Sequence, residues 1–178
     1  MIPAKRLCVV VLASWFVLVG DVLAATDPIA WWKLDEGSGS TTADSTGNGY
    51  TGTLVSSPTW VANTVSSNGL KFTTNRWVNI ANSSGLHLTN TMTASVWIKP
   101  DLPGMSSPMT EFLAKGESYY SGWGLRYGPD GRIAVYMAGQ NGNTIHSTAT
   151  APTNRWTHVA VTMDGASAKL YQIGRAHV

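Results

Sequence analysis

The stretch Arg155-Trp156-Thr157-His158-Val159-Ala160-Val161-Thr162-Met163-Asp164-Gly165, followed by Ala168-Lys169-Leu170-Tyr171, decides the fold. Its Trp, Val and Thr residues suit a pleated, half-buried surface. Asp164-Gly165 stands between two such runs. Both residues tolerate the positive φ of a tight turn, so the stretch predicts two strands joined at that dipeptide.

Similar short runs precede it. Residues 143–149, 132–138, 123–127 and 111–115 each read as strands. Gly128-Pro129-Asp130-Gly131 predicts another hairpin turn, and Lys115-Gly116 is expected to end the strand before it. In 92–99, Met92, Ala94, Val96 and Ile98 alternate with Thr93, Ser95, Trp97 and Lys99, and Pro100 closes the run. Residues 77–80, 69–73 and 53–55 continue the series. The apolar run 29–34, Ile-Ala-Trp-Trp-Lys-Leu, is expected to be a buried first strand. Between it and residue 53 the chain is rich in Gly, Ser, Thr, Asp and Asn, and 44–52 reads as a compact loop of Asx turns and left-handed residues. Apart from the N-terminal segment, no window holds a helical period. Many short strands separated by turn signals predict an all-β sandwich or barrel. No linker or second domain is legible.

The chain has 178 residues, enough for one domain with a substantial core. Only 12% are charged and the formal net charge is +2, which argues against an electrostatic grip on nucleic acid or acidic lipid. Eight Trp residues serve equally well in a sandwich core and in a sugar site.

The two ends read differently from the middle. Lys5-Arg6, the apolar run 7–20 and Val22-Leu23-Ala24 form a signal peptide, residues 1–24, with cleavage expected after Ala24 and Ala25 as the close alternative. That run is short for a membrane span, so no span is expected in the mature chain. The only cysteine, Cys8, lies inside it, which leaves the mature chain without disulfides or cysteine-ligated metal. At the other end, Ile173-Gly174-Arg175-Ala176-His177-Val178 matches the translation of a common short-read sequencing adapter, whose preceding bases would complete a Gln172 codon. Residues 172–178 are therefore read as a tail outside the fold, and 25–171 as the domain.

Five blocks in order carry a resemblance: Trp31-Trp32-Lys33-Leu34-Asp35-Glu36-Gly37-Ser38-Gly39, Asp44-Ser45-Thr46-Gly47-Asn48-Gly49, Gly69-Leu70-Lys71-Phe72, Thr93 to Pro100, and Arg155 to Ala160. The chain resembles the laminin-G-like jelly-roll domains of the concanavalin A-like lectin/glucanase superfamily over residues 29–171. The resemblance implies an antiparallel jelly-roll β-sandwich, here missing its last strands, because family members continue past the Leu170-Tyr171 strand with a strand carrying acidic residues. That strand lies beside the first one, so 29–34 is expected to lack a partner and to act as an aggregation template.

Glycosidases of such a fold need a pair of carboxylates flanking the scissile bond. The acidic residues here sit mostly in turns. Glu111 and Glu117 are evenly spaced, but the expected strand end separates them. No Ser stands in a nucleophile elbow. His158 reads as a packed, hydrogen-bonded strand residue rather than a base. No catalytic residue is assigned.

Two binding sites are open. Asp44 and the Asn48 amide, with carbonyls exposed by glycines, offer the oxygen ligands of a structural calcium, which the resemblance favours; the alternative is a metal-free Asx-turn loop. Trp123, Tyr127 and Tyr136, with Tyr119-Tyr120 in the loop before them, offer an aromatic platform for a sugar ring, although the size of these side chains favours the core for two of the three. Asn82-Ser83-Ser84 is a glycosylation sequon that matters only in a eukaryotic source. The expected protein is an exported, non-catalytic module, part of a larger secreted or cell-surface protein, whose partner is a glycan or a protein surface. Alternatives are an accessory module of a polysaccharide-degrading enzyme and a ligand-free spacer.

Overall fold

The structure is a computed structural model that describes residues 8–11, 27–62, 64–65, 67–73, 75–87, 91–101, 110–118, 121–137, 144–164 and 167–174. Its strands are β1 (Cys8–Val11), β2 (Thr41–Thr42), β3 (Gly52–Val55), β4 (Thr59–Ala62), β5 (Asn68–Lys71), β6 (Trp77–Ile80), β7 (Thr91–Pro100), β8 (Thr110–Ser118), β9 (Ser121–Tyr127), β10 (Arg132–Met137), β11 (Thr144–Thr150), β12 (Thr157–Asp164) and β13 (Ala168–Gly174). One 3-10 turn, Ser84–Leu86, lies between β6 and β7. The strands form a six-stranded sheet in the order β13-β12-β7-β1-β5-β4, a four-stranded sheet in the order β11-β10-β9-β8, and a three-stranded sheet in the order β2-β3-β6.

β7 and β12 form the spine of the large sheet, paired antiparallel from Ile98 opposite Thr157 to Thr91 opposite Asp164. The period-2 pattern explains their orientation. Met92, Val96 and Ile98 of β7, and Val159, Val161 and Met163 of β12, are buried. Trp97 and His158 face each other on the outer side, with ring centroids 5.1 Å apart. The buried set packs with Leu70 of β5, Leu54 of β3, Leu125 and Tyr127 of β9, and Ile133 and Val135 of β10 in one core. All three sheets thus share a single apolar interior, which makes the protein an antiparallel jelly-roll β-sandwich. Each fully buried Val, Leu or Ile contributes about 1.5–3 kcal/mol relative to its exposed state.

Four expectations need correction. Residues 29–34 are not a strand. Among the described residues they make only an isolated bridge, Trp32 opposite Asp44. The run cannot stay extended, because Leu34 turns to φ +55° and Trp31 N–H donates to the Asp44 carboxylate instead of a ladder. It therefore presents no long open edge. Second, β8 does not stop at Lys115-Gly116. A register shift between Lys115 and Ser118 absorbs Gly116, at φ +125°, and carries the strand on. Third, Asp164 is not a central turn residue but the last residue of β12, and its N–H donates to the Ser167 carbonyl at 3.1 Å. Met163 pairs with Ala168, and the Asp164 carboxylate closes the loop by accepting Ser167 N–H at 2.8 Å. Gly165 lies outside the described residues. Fourth, His158 is packed but not hydrogen-bonded at Nε2, which is buried and has no partner among the described residues.

The ends join the sheet. Of the segment read as a leader, the structure describes Cys8–Val11, which pairs with both β5 and β7. At the other end β13 runs through Gln172 and Ile173 to Gly174, opposite Val159, His158 and Thr157. No helix among the described residues is long and apolar enough to cross a membrane.

Candidate functional site

The aromatic side chains expected to form one platform fall on two faces. β9 and β10 pair with Tyr127 opposite Ile133, Leu125 opposite Val135 and Trp123 opposite Met137. Directly opposed residues share a face, so Trp123 and Tyr127 both point toward the core, against which Trp123 packs. Tyr136 pairs with Gly124 and lies on the other side. Tyr119 and Tyr120 lie outside the described residues.

Tyr136 belongs to a separate polar cluster on that outer face. Its hydroxyl donates to Glu111 Oε1 at 2.8 Å. Arg126 donates to the same oxygen through Nη2 at 2.7 Å, and its guanidinium lies 3.8 Å from the Tyr136 ring centroid. Gly124 leaves the room this needs, since a Cβ there would lie 2.3 Å from Tyr136 Cε1. Burial, followed by the hydrogen bond to Glu111 and its charge, pushes the Tyr136 hydroxyl up to about 12, with Arg126 pulling the other way. The ring is 3% exposed. It is therefore a covered structural element, not a stacking surface.

Tyr127 has a second aspect. It borders an open groove of about 460 Å³ at the end of the β9–β10 hairpin, lined also by Pro129, Asp130, Thr150, Pro152 and Thr153. The local sequence builds it. Pro129 fixes φ at the first central position of the turn, Asp130 Oδ1 accepts the Arg132 N–H two residues on at 3.1 Å, and Gly131 adopts φ +78°. The Gly131 carbonyl then accepts the Ala151 N–H at 2.8 Å. That bond ties the turn to the loop after β11, so both walls are fixed by backbone. Tyr127 O–H reaches toward the Ala151 carbonyl at 3.4 Å from the buried end. Asp130 stays half-exposed beside Arg132 Nε, 3.8 Å away. The groove thus brings Asp130, Thr150 and Thr153 together with Pro129 and Pro152 over the buried Tyr127, an apolar surface with a few polar groups. Its residues went unassigned in the sequence, apart from Tyr127. The signal was present in the Gly-Pro-Asp-Gly turn and in Ala151-Pro152-Thr153-Asn154.

The Asp44 loop has a different character. Asp44 Oδ1 accepts N–H bonds from Trp31 at 3.1 Å and Thr46 at 3.0 Å. Thr46 Oγ1 donates at 2.7 Å to Oδ1 and 2.8 Å to Oδ2, and Tyr50 N–H reaches Oδ2 at 3.3 Å. Burial works to raise the carboxyl, but the donors from Thr46, Trp31 and Tyr50 outweigh it and hold Asp44 below its ordinary value. Asn48 turns its amide nitrogen to the Ile29 carbonyl at 2.9 Å. A calcium site needs oxygen lone pairs converging on one point. Here the Asp44 lone pairs face protein donors, so in this arrangement the residues do not fit a calcium ion. Among the described residues, no three His, Cys, Asp or Glu side chains cluster.

A family model described as the concanavalin A-like lectin/glucanases superfamily matches residues 72–176, more than half of the chain. Neither the curated proteins nor the solved structures compared with the chain contain a match.

Proposed function

The chain belongs to the concanavalin A-like lectin/glucanases superfamily, and from that premise we propose that it is an exported recognition module that binds carbohydrate, without catalysis, in the groove between Tyr127 and Thr153. The superfamily fits a carbohydrate- or protein-binding module, and it also includes glucanases. The groove carries the choice of ligand. Its volume suits one or two sugar rings, its Asp130 carboxylate accepts sugar hydroxyls, and its Thr150 and Thr153 hydroxyls both donate and accept. Pro129 and Pro152 supply apolar surface for the C–H face of a ring.

Non-catalysis rests on the carboxylates. A glycosidase needs two, placed across the scissile bond. Among the described residues, Asp130 is the only acidic one lining the groove. Glu111 lies on the opposite face of its sheet, where Arg126 and Tyr136 occupy it. The module works within a larger secreted or cell-surface protein, exported by residues 1–24.

A glycan array followed by calorimetry on the full chain tests this reading. Asp130→Asn keeps the acceptor for the Arg132 N–H but removes the charge; with Thr153→Val it weakens the selected glycan about tenfold or more, by loss of one or two hydrogen bonds of about 1–2 kcal/mol. Tyr136→Phe, on the other face, leaves affinity unchanged. Binding that survives both groove substitutions would remove this site from consideration.

A further inference from the structure

Among the described tryptophans, Trp77 alone is exposed, at 49%. A side chain of that size is ordinarily drawn into a core, so its place outside needs a physical account. It stands on β6, which pairs with β3 as Trp77 opposite Val55 and Asn79 opposite Thr53. Thr41 of β2 stands opposite Thr53 in turn. Directly opposed residues share a face, and so do residues two apart on one strand. Trp77, Val55, Asn79, Thr53 and Thr41 therefore lie together on the outer face of the three-stranded sheet. The inner face carries Thr42, Gly52, Leu54 and Val78, of which Leu54 and Val78 pack in the core. A Cβ at Gly52 would lie 2.5 Å from Val78 Cγ1 and 2.7 Å from Thr42 Cγ2. A one-residue slip would bring a larger side chain into that space, so the register is held and Trp77 stays outside.

The make-up of this face states its ligand class. Asn79, Thr53 and Thr41 are exposed. Among the described residues, neither their side chains nor the Trp77 indole N–H has a hydrogen-bond partner. No residue of the face is charged. The cation next to it in the chain, Arg76, is engaged, since Nη1 donates to the Ser57 carbonyl at 2.9 Å and to Thr59 Oγ1 at 3.3 Å. That contact pins the turn after Val55, where Ser56 and Ser57 are both left-handed at φ +58° and +54°. One flat indole thus stands beside amide and hydroxyl groups that the protein does not use. The combination fits the C–H faces and hydroxyls of a neutral sugar chain. A charged ligand would find no counter-ion. A protein partner would find too little surface: the row from Thr41 to Asn79 spans about 10 Å and Trp77 lies about 7 Å along β6 from it, an area on the order of 100 Å² against ~800 Å² per partner in a stable interface. We propose that the outer face of β2, β3 and β6 is a second glycan site, which holds a neutral polysaccharide by stacking one ring on Trp77 and hydrogen-bonding the next through Asn79, Thr53 and Thr41.

This site shares no residue with the groove between Tyr127 and Thr153 and does not rest on it. The two ask for different ligands. The groove has walls and takes one or two rings. The outer face is flat and open, so a short oligosaccharide gains one stacking contact there and binds at about millimolar strength. A polymer is held because neighbouring repeats present the same contact again at high local concentration.

The test runs the full chain through native gels cast with mixed-linkage glucan, mannan, xylan or polygalacturonate. At least one of the three neutral polymers is expected to retard it, and polygalacturonate is not. Trp77→Ala abolishes the retardation and Trp77→Phe keeps part of it. Asn79→Ala with Thr53→Val weakens binding about fivefold or more, by loss of its hydrogen bonds. Asp130→Asn with Thr153→Val leaves retardation unchanged, so failure of the groove and failure of this face are told apart. A second measurement needs no variant. N-bromosuccinimide oxidises the exposed Trp77 first, as read by mass spectrometry of its peptide, and the retarding polymer protects it. Retardation by no neutral polymer, retardation that survives Trp77→Ala, its loss through the groove pair, or oxidation of Trp77 that the polymer does not slow would each overturn the proposal. Self-association that Trp77→Ala abolishes would also overturn it, by giving the face to a second copy of the chain.

Discussion

Gly124→Ala is a one-methyl change on the outer face of the four-stranded sheet, and its cost follows from the geometry. The added Cβ would sit 2.3 Å from Tyr136 Cε1 and 2.7 Å from both Cζ and the hydroxyl oxygen. Ordinary carbon contacts begin near 3.5 Å, so the ring must move by more than about 1 Å. It cannot do so alone. Arg126 lies 3.8 Å from its centroid, and its hydroxyl is 2.8 Å from Glu111. Overpacking costs about 1–3 kcal/mol. The hydrogen bond to Glu111 adds about 1 kcal/mol, discounted because that carboxylate is substantially exposed. The expected total is about 3 kcal/mol, read as a lower urea midpoint with unchanged m-value. In a Tyr136→Ala background the same substitution should cost less than about 0.5 kcal/mol, since nothing remains to strike and alanine orders a strand better than glycine. Equal costs in the two backgrounds would refute the claim that Tyr136 is what glycine accommodates.

Three further outcomes are expected. Asp44 has a depressed folded pKa, so its contribution is fully present above the unfolded value near 3.9 and is lost as pH falls through the folded one. Asp44→Asn should therefore cost no more than about 1 kcal/mol at neutral pH, discounted because the carboxylate is open to solvent screening, with the gap to wild type closing in acid below pH ~4; a gap independent of pH would contradict the charged acceptor role. Because that carboxylate is already engaged by N–H and O–H donors, adding calcium or a chelator should move Tm by less than about 1 °C, whereas a rise of several degrees would show the loop exchanging those donors for a cation. His158 is depressed by burial, so the unfolded chain takes up its proton first. Its part of the stability is complete above about pH 6.5 and erodes as pH falls below that value, and His158→Phe should flatten this fall in denaturant titrations between pH 7 and 5.

The strands that alternate cleanly were legible. Residues 92–99 showed both faces of β7, and the 77–80 run is β6 residue for residue. Period 2 suffices there because one face meets the core and the other meets water. Residues 29–34 misled for the opposite reason. An apolar run says that a segment is covered, not that it pairs, and here Trp31 N–H and Trp32 Nε1 bond to the loop at Asp44 and Tyr50, far along the chain. β4 carried no local signal, since its pairing with β5 is tertiary. The segregation of Tyr136 from Trp123 and Tyr127 was readable in principle. Once Gly128-Pro129-Asp130-Gly131 is taken as the turn, Tyr127 falls opposite Ile133 and Tyr136 opposite Gly124, which settles the faces by counting. The groove was hidden because its second wall, Ala151 to Thr153, comes from a loop that only the Gly131–Ala151 hydrogen bond brings alongside.

The most direct test of glycan recognition is an amide-resolved NMR titration of the full chain with the oligosaccharides that an array selects. Shifts concentrated at Gly128, Asp130, Gly131, Thr150, Ala151 and Thr153, saturating with one affinity and absent in Asp130→Asn, are the predicted result. Saturable shifts centred on Glu111, Arg126 and Tyr136, or no shift with any oligosaccharide, would contradict carbohydrate recognition at the groove.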